Sequence, residues 1–503
     1  MTELDRTTRF LPAPRLSKSK FLAGLQCHKR VYLDVHHPDW AAPPDPSMQA
    51  VLEMGTELGV LARSRFSGGL LIDEGYRQRE AALAHTVAAL ADPDVSAIFE
   101  GAFEHDGVLV RVDILERTAR TEEDGPSWRL IEVKSSSRVK DVHLADLAIQ
   151  SDVLQGCGIT LSAVCLMHIN TGYVYEGGGI DVGRLFVIDD VTDAVMRRRV
   201  NVSAQVAEMK ALLLEHVPPA VEPGPHCQSP YECPFWKHCT KDKPARWIYH
   251  LPGSKQLVTG LLEQGITTID EIPSGIRLSV SQRRVKDNME WVSTKLGAAL
   301  QSIQYPVHHV DFETVMLAAP RVPSTRPYQA IPVQWSNHIE DESGTVIHQE
   351  FLHEEPTEPR KRWAEALIES LGKHGSICVY STYEEAMIRQ LAEAFPEFRF
   401  AFQPILKRLW DLHLIVKDHY YHPGFNGSYS MKSVLPVLAP SLAYDDLRIR
   451  EGGQAAAEYY RMVFVETDWV ERAAIRDALF RYCERDTFAM VELRRVLKEK
   501  AGS

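Results

Sequence analysis

The sequence predicts an α/β chain of several domains on three observations. Strand and helix patterns alternate in both halves, each half carries a strand studded with carboxylates, and the middle is a run of short helices broken at Gly265 and Pro273. Boundaries are expected at residues 1–245, 246–300 and 301–503. A length of 503 residues leaves room for two or three domains, and 45% hydrophobic with 25% charged residues is an ordinary globular composition. No apolar stretch approaches the roughly 20 residues of a membrane span. The start Met1-Thr2-Glu3-Leu4-Asp5 lacks a basic region followed by an apolar one, so a cytosolic protein without membrane contact is expected. The net charge of −12 argues against binding of nucleic acid by bulk charge, leaving local basic patches and metal ions for that task. Such patches occur at Lys18, Lys20, Lys29 and Arg30, at Arg197 to Arg199, at Lys237, Lys241, Lys243 and Arg246, and at Arg283, Arg284 and Lys286. Each is more often a solvated helix face.

At the start of the chain Ser17 or Ser19 is placed to cap a short helix that turns Phe21, Leu22 and Leu25 inward and delivers Cys27 at or just beyond its end. A proline-rich loop at 37–46 precedes helices expected near 48–66 and 77–91. Strands follow at 99–103, 108–116 and 128–134, the first two joined through Asp106-Gly107, a strong hairpin signal. Asp113 lies on the second of these strands, and Ile131-Glu132-Val133-Lys134 puts Glu132 and Lys134 on one face of the third. Asp113 and Glu132 can hold a metal while Lys134 orients a water or offsets charge building on a phosphate. The alternative is a set of exposed, salt-bridging strand residues. A helix at 141–156 then supplies Gln150.

Eight cysteines in a cytosolic chain do not suggest a disulfide framework. Cys157, Cys165, Cys378 and Cys483 sit in apolar surroundings and read as small core residues. Cys27, Cys227, Cys233 and Cys239 do not, because the last three form C-x5-C-x5-C within a stretch rich in Pro, His and Lys. Four thiolates suit either zinc or a four-iron four-sulfur cluster, and the spacing, wider than zinc knuckles, leans toward the cluster. The acid, Glu-x-Lys, Gln and cysteine pattern resembles the iron–sulfur RecB-type nucleases of the PD-(D/E)xK superfamily, including the AddB nuclease domain and the CRISPR-associated group. The resemblance implies a restriction-endonuclease-like fold, catalysis by Asp113, Glu132, Lys134 and Gln150, and a cluster that staples the two ends of the domain. The pattern departs at Leu154, where relatives carry Tyr, and in lacking an upstream His ligand, for which Glu57 is offered as a substitute.

Short helices at 257–264 and 279–296 flank Gly265 and the segment 267–272. They suit either a helix-hairpin-helix element, whose hairpin amides hold a phosphate, or a plain helical linker.

The last two hundred residues are organised around Val310-Asp311-Phe312-Glu313-Thr314. On a strand Asp311 and Glu313 share a face while Phe312 turns into the core. Two carboxylates side by side repel unless a cation lies between them, and Mg2+ takes carboxylate oxygens. Strands are expected at 331–336, 346–352 and 377–380, with a turn at 341–344 and helices at 360–372 and 384–394. Glu384 stands where a strand ends and a helix begins, and on a later helix Tyr482 and Asp486 are four apart and share a face. Asp411 reads as a helix cap or an accessory ligand. The aromatics of 419–432 read as a base-stacking surface ending in Lys432 or as a packed loop.

This order of carboxylates with a Tyr one turn before the last resembles the DEDD exonucleases of the DnaQ-like, RNase H-fold group, in its tyrosine variant. The resemblance implies that Asp311, Glu313 and Asp486 hold two Mg2+ or Mn2+ ions, that Glu384 reaches one directly or through water, and that Tyr482 orients the attacking water. Single nucleotides would leave from a 3′ end. The chain departs at Glu384, where relatives carry Asp. The whole then reads as a two-site nuclease acting on DNA, single-stranded or with a 3′ end. RNA, a chain cutting only at the second site, and a scaffold without turnover are the alternatives. Repair, degradation of foreign DNA and phage defence are all compatible with it.

Overall fold

The structure is a computed structural model that describes residues 15–44, 46–118, 126–253 and 255–502. It is a mixed α/β protein of two compact units, residues 1–242 with 318–327, and residues 243–317 with 328–503. The 246–300 stretch, expected as a domain of its own, falls inside the second unit. No helix among the described residues is long and apolar enough to cross a membrane.

The first unit is built on strands β1 (Leu16–Ser17), β2 (Gly69–Leu71), β3 (Ala97–His105), β4 (Val108–Arg117), β5 (Trp128–Lys134), β6 (Leu161–Ile169) and β7 (Phe186–Asp190). Their order is β2-β3-β4-β5-β6-β7, with β1 added in parallel beside β4. Asp106 and Gly107 both take positive φ, 44° and 62°, which is the mirror-image turn that a tight hairpin between right-twisted strands needs. β5 and β6 run parallel, so their connection must cross over the sheet, and helix Asp141–Gly156 does so. That helix buries Leu147, Ala148, Ile149, Val153 and Leu154 against Val110, Val112 and Leu130 of the sheet. Leu154, where the resemblance would place Tyr, is thus core. The first helix, Lys18–Gln26, is capped by Ser17, whose hydroxyl accepts from the Lys20 N–H at 3.3 Å, and ends at Cys27 as expected. Its inward face differs. Phe21, Ala23 and Gly24 are buried while Leu25 is exposed, because Gly24 lies flush against Met209, which leaves no room for a side chain there.

The second unit carries β8 (Trp291–Val292), β9 (Val307–Met316), β10 (Ala330–Glu340), β11 (Val346–Leu352), β12 (Ser376–Val379), β13 (Leu409–Asp411) and β14 (Tyr420–Tyr421). Five of them form one sheet in the order β11-β10-β9-β12-β13, antiparallel across β11, β10 and β9 and parallel across β9, β12 and β13. Alternation divides the sheet's two faces. Val310, Phe312 and Trp335 pack on Trp363 and Leu367 of helix Arg360–Leu371 and on Met387, Ile388 and Leu391 of helix Tyr383–Ala394. The side chains between them face the long helix Trp469–Gly502, where Gln334 donates to the Leu479 carbonyl at 2.9 Å. Gly375 permits β12 to enter beside β9. Its φ is +85°, and a Cβ there would stand 1.8 Å from the Pro306 carbonyl oxygen.

Candidate functional site

In the first unit the β4–β5 ladder pairs Ile114 with Ile131 and runs to Arg117 with Trp128. Beyond it the Val133 N–H goes to the Asp113 carboxylate at 2.7 Å instead of to a strand carbonyl. The opening of the ladder gathers the expected residues. Lys134 donates to Glu132 at 2.6 Å, and Gln150 donates to the other Glu132 oxygen at 2.7 Å. Two residues that sequence reasoning missed complete the group. Asp146 accepts from Lys134 at 2.8 Å and from Gln150 at 2.9 Å, and Lys18 donates to Glu132 at 2.8 Å and lies 3.3 Å from Asp146. Asp146 was legible, since it lies one turn before Gln150 on the same helix face. Lys18 was not, being more than a hundred residues from its partner.

Burial would raise the Glu132 carboxyl, but Lys134 and Lys18 outweigh it and hold it well below the usual range. Asp113 is pushed up to about 7 by burial and by Glu132, and burial with Glu132 also raises Asp146. Three carboxylates thus face two ammonium groups. Glu57 does not join them. It pairs with Arg321, and the cleft beside the group is lined instead by Lys18, Glu100, Lys140 and His143. His143 is held near 4, first by burial and then by Lys134.

Cys27 ends the first helix, and Gln26 beside it donates to the His226 and Tyr231 carbonyls at 2.7 Å each, in the segment that carries Cys227, Cys233 and Cys239. The Cys233 N–H donates to the Cys227 carbonyl at 2.8 Å, and Tyr32, Leu33 and Phe235 pack around the group. The thiols lie close enough to act on one another electrically. Cys27 and Cys227 both raise Cys239, after burial, and Cys227 and Cys239 raise Cys233. Among the described residues, neither of the two groups whose ligand atoms all lie within 4.8 Å contains a cysteine. Of the four expected core thiols, Cys165, Cys378 and Cys483 are buried while Cys157 is exposed, because it caps the end of helix Asp141–Gly156.

In the second unit the carboxylates meet. Asp311, Glu313 and Asp486 offer ligand oxygens within 4.8 Å of one another, and Glu384 faces Asp311 and Glu313. Phe312 lies in the core against Trp363, ring centres 4.7 Å apart, which leaves its two neighbours on the opposite face. The β9–β10 register slips between Pro332 and Gln334, opposite Thr314 and Glu313. The slip is a bulge of the kind that re-aims side chains at a site. Glu384, buried at the first turn of its helix, accepts from the Ser381 hydroxyl at 3.1 Å.

Crowding sets the charge state. Burial, then Asp486, Glu313 and Glu384, raise Asp311 well above the carboxylate range, and burial with Asp486 and Glu384 raises Glu313 to about 8. Glu384 rises to about 7, chiefly by burial. Asp486 rises to about 6 by burial, against hydrogen bonds from Tyr444 and Tyr482. Tyr444 was missed, since nothing in its local sequence marks it. The nearby cations are already engaged: Lys432 lies 3.3 Å from Glu451, and Arg485 donates to Asp446 at 3.0 Å.

Other expectations resolve around this centre. Asp411 accepts from the Leu414 N–H at 3.2 Å as a helix cap, while also facing Glu384. Tyr420, Tyr421, Phe425 and Tyr429 are buried against one another, so the aromatic stretch is a packed loop and not a base-stacking surface. The amides after Gly265 are taken internally. Glu271 accepts from the Thr267 and Thr268 N–H groups at 2.9 Å each, which leaves the hairpin's donors no phosphate to seek. Several basic patches are likewise occupied: Arg198 pairs with Asp141, Arg246 with Asp270, and Arg284 donates to the Lys417 carbonyl and the Tyr429 hydroxyl.

Residues 308–430 match the model of a domain of unknown function, DUF2779. That span contains Asp311, Glu313, Glu384 and Asp411 and stops short of Tyr482 and Asp486. The chain is also 24% identical over 232 residues to the uncharacterized protein MG366 homolog of Mycoplasma pneumoniae. The match covers 41% of this chain and 34% of that relative's length.

Proposed function

We propose that the protein is a metal-dependent nuclease that hydrolyses phosphodiester bonds of DNA, removing nucleotides from 3′ ends at the Asp311, Glu313, Glu384 and Asp486 cluster. One observation carries the reading. Four carboxylates crowd one pocket whose nearest cations, Lys432 and Arg485, each have a partner of their own and offset the crowding only in part, so all but the lowest of the four hold protons near neutral pH unless a cation replaces those protons. An all-oxygen donor set of that charge fits Mg2+ or Mn2+. The strand order β11-β10-β9-β12-β13, with the acidic strand at its centre and the last carboxylate on a C-terminal helix, supports the DnaQ-like, RNase H-fold expectation.

Asp311, Glu313 and Asp486 would hold the ions, with Glu384 reaching one directly or through water. Bound there, they supply Lewis-acid activation of water and neutralise the leaving oxygen. The protein's own groups do the rest. Tyr444 and Tyr482 donate to Asp486 and keep it ionised, which frees its oxygens to ligate. Burial holds the Tyr482 hydroxyl well above its usual range, so it stays protonated, a donor able to orient water. Lys432, paired with Glu451, also lowers Glu313 and Asp486 somewhat and would be the residue to meet a phosphate oxygen here.

A narrower reading, with this site alone cutting and the first unit gripping a strand, is favoured by one feature of the PD-(D/E)xK-like group. Lys18 and Lys134 both sit on Glu132, so its carboxylates have less need of a metal. End-labelled single- and double-stranded DNA and RNA, with Mg2+ or Mn2+, tests both readings. Asp311→Asn should abolish 3′ shortening, while Lys134→Ala leaves it intact under the narrower reading. No cleavage by the wild type, or full cleavage by Asp311→Asn, would sink the exonuclease assignment.

For the four cysteines a [4Fe–4S] cluster that ties the end of the first helix to residues 227–239 remains our reading. Zinc would draw its sulfurs to about 3.8 Å from one another, given Zn–S arms of ~2.3 Å. A cubane puts each thiolate on its own iron and tolerates wider spacing. Iron and acid-labile sulfide in anaerobically purified protein test this, and stoichiometric zinc without iron would overturn it.

A further inference from the structure

We propose that His338, His348 and Glu484 form a second cation site in the same unit, built for a zinc-type ion rather than for Mg2+. The three offer ligand atoms within 4.8 Å of one another, on β10, β11 and the C-terminal helix. His338 and His348 are direct cross-strand partners with rings stacked 4.4 Å apart, and the exposed Glu484 lies 3.9 Å from His348 Nδ1.

The inner edge of each ring is held by the core. The Thr487 hydroxyl, with the Glu484 and Cys483 carbonyls at 3.1 and 3.3 Å as acceptors for its proton, bonds His338 Nδ1 at 2.8 Å and the Ser336 hydroxyl at 2.7 Å. Ser336 in turn bonds His348 Nε2 at 2.9 Å. Each imidazole thereby spends one nitrogen on this network and keeps the other outside it: Nε2 of His338 and Nδ1 of His348. Thr487 and Ser336 are buried, so this chain of hydroxyls is part of the core and not a surface accident. A ligating histidine is held in this way, its far nitrogen donating to a fixed acceptor. Burial lowers the pKa of both rings, which keeps them neutral and able to ligate.

Two imidazoles and one carboxylate, with the solvent side open through Glu484, are the donor set of a three-ligand zinc site that takes water as its fourth partner. Glu350, 4.0 Å from His348 Nε2, adds negative charge beside it. The ion would pin helix positions 484–487 to β10 and β11, and Asp486 lies within that span while Ser336 pairs with Asp311 in the strand register. An ion there would help to position the carboxylate cluster, and the site's existence does not depend on what that cluster does.

Full-length protein titrated anaerobically with Co2+, in excess Mg2+, tests it. Wild type is compared with Glu484→Gln, whose exposed position leaves the fold intact, and with His348→Ala. The wild type should bind one equivalent more, or bind it at least about tenfold more tightly, than either variant. The difference spectrum should show ligand-field bands without thiolate charge transfer. Equal stoichiometry and affinity in all three proteins, or thiolate charge transfer in the difference spectrum, would overturn the site.

Discussion

At the scale of single residues, what matters is how neighbours set the charge of a buried acid. Tyr444 and Tyr482 both donate to Asp486 and oppose the burial that raises it. Tyr444→Phe removes one donor and keeps the shape, so Asp486 should titrate at higher pH. A hydrogen bond to a charged group contributes about 1.5–3 kcal/mol, so the ionised fraction of Asp486, and with it cleavage at pH 7, should fall by about twofold to fifteenfold, with the acid limb of the pH–rate profile moved upward. An unchanged profile would remove Tyr444 from the site. The fully buried Arg494 pairs with Glu340 and lies 5.7 Å over the Tyr305 ring, and its Nε and Nη1 find no hydrogen-bond partner among the described residues. Stripping its one counter-charge leaves a bare guanidinium in the core. Glu340→Ala should therefore cost about 3–5 kcal/mol in chemical denaturation.

At the scale of elements, the acidic strand β9 works because its neighbours approach it closely on both sides. β10 bulges opposite Glu313, and β12 slides in beside β9 only because Gly375 has no side chain. Gly375→Ala would force its Cβ into the Pro306 carbonyl at a φ that L-residues avoid. It should lower stability by about 1–3 kcal/mol or more and weaken metal binding at Asp311. Wild-type stability with normal metal affinity would mean that β12 approaches by some other route. The first unit uses a different element-level device, a ladder that opens after Ile114 and Ile131 so that Asp113 can take the Val133 amide.

At the scale of the whole molecule, raised carboxylates make stability depend on pH in a definite direction. A group whose folded pKa lies above its unfolded value binds more protons in the native state, so stability falls as pH rises from the unfolded toward the folded value. Glu313 at about 8, Glu384 at about 7 and Asp113 at about 7 all have this sign. His308 and His338, lowered to about 4, have the opposite sign, but only between pH 4 and their unfolded value near 6.5. Between pH 6.5 and 8 the carboxylates prevail. Protein freed of divalent ions should lose melting temperature across that window, and Mn2+ should restore more at pH 8 than at 6.5 while releasing protons, read by calorimetry in buffers of different ionisation enthalpy. A melting temperature that rises across the window without metal would contradict the crowded cluster.

Much of both candidate sites was legible because local geometry alone decides it. Alternation puts Asp311 with Glu313 and Glu132 with Lys134 on shared faces, helical spacing aligns Tyr482 with Asp486, and Ser17 announces the helix that ends at Cys27. These relations survive any packing. Others depend on segments far apart in the chain arriving side by side, and no local pattern encodes that arrival. Lys18 offsets the charge of Glu132, Asp146 shares both lysines with it, Tyr444 steadies Asp486, Arg321 removes Glu57 from contention, and Glu271 fills the hairpin that was read either as a phosphate holder or as a plain linker. The sequence by itself determined which carboxylates, lysines and cysteines stand together on a strand face or a helix turn and which way each points from its own element. Only the tertiary structure decided which charges are balanced by a nearby partner and which crowd against one another, because electrostatic balance is a property of distances in space and not of order along the chain.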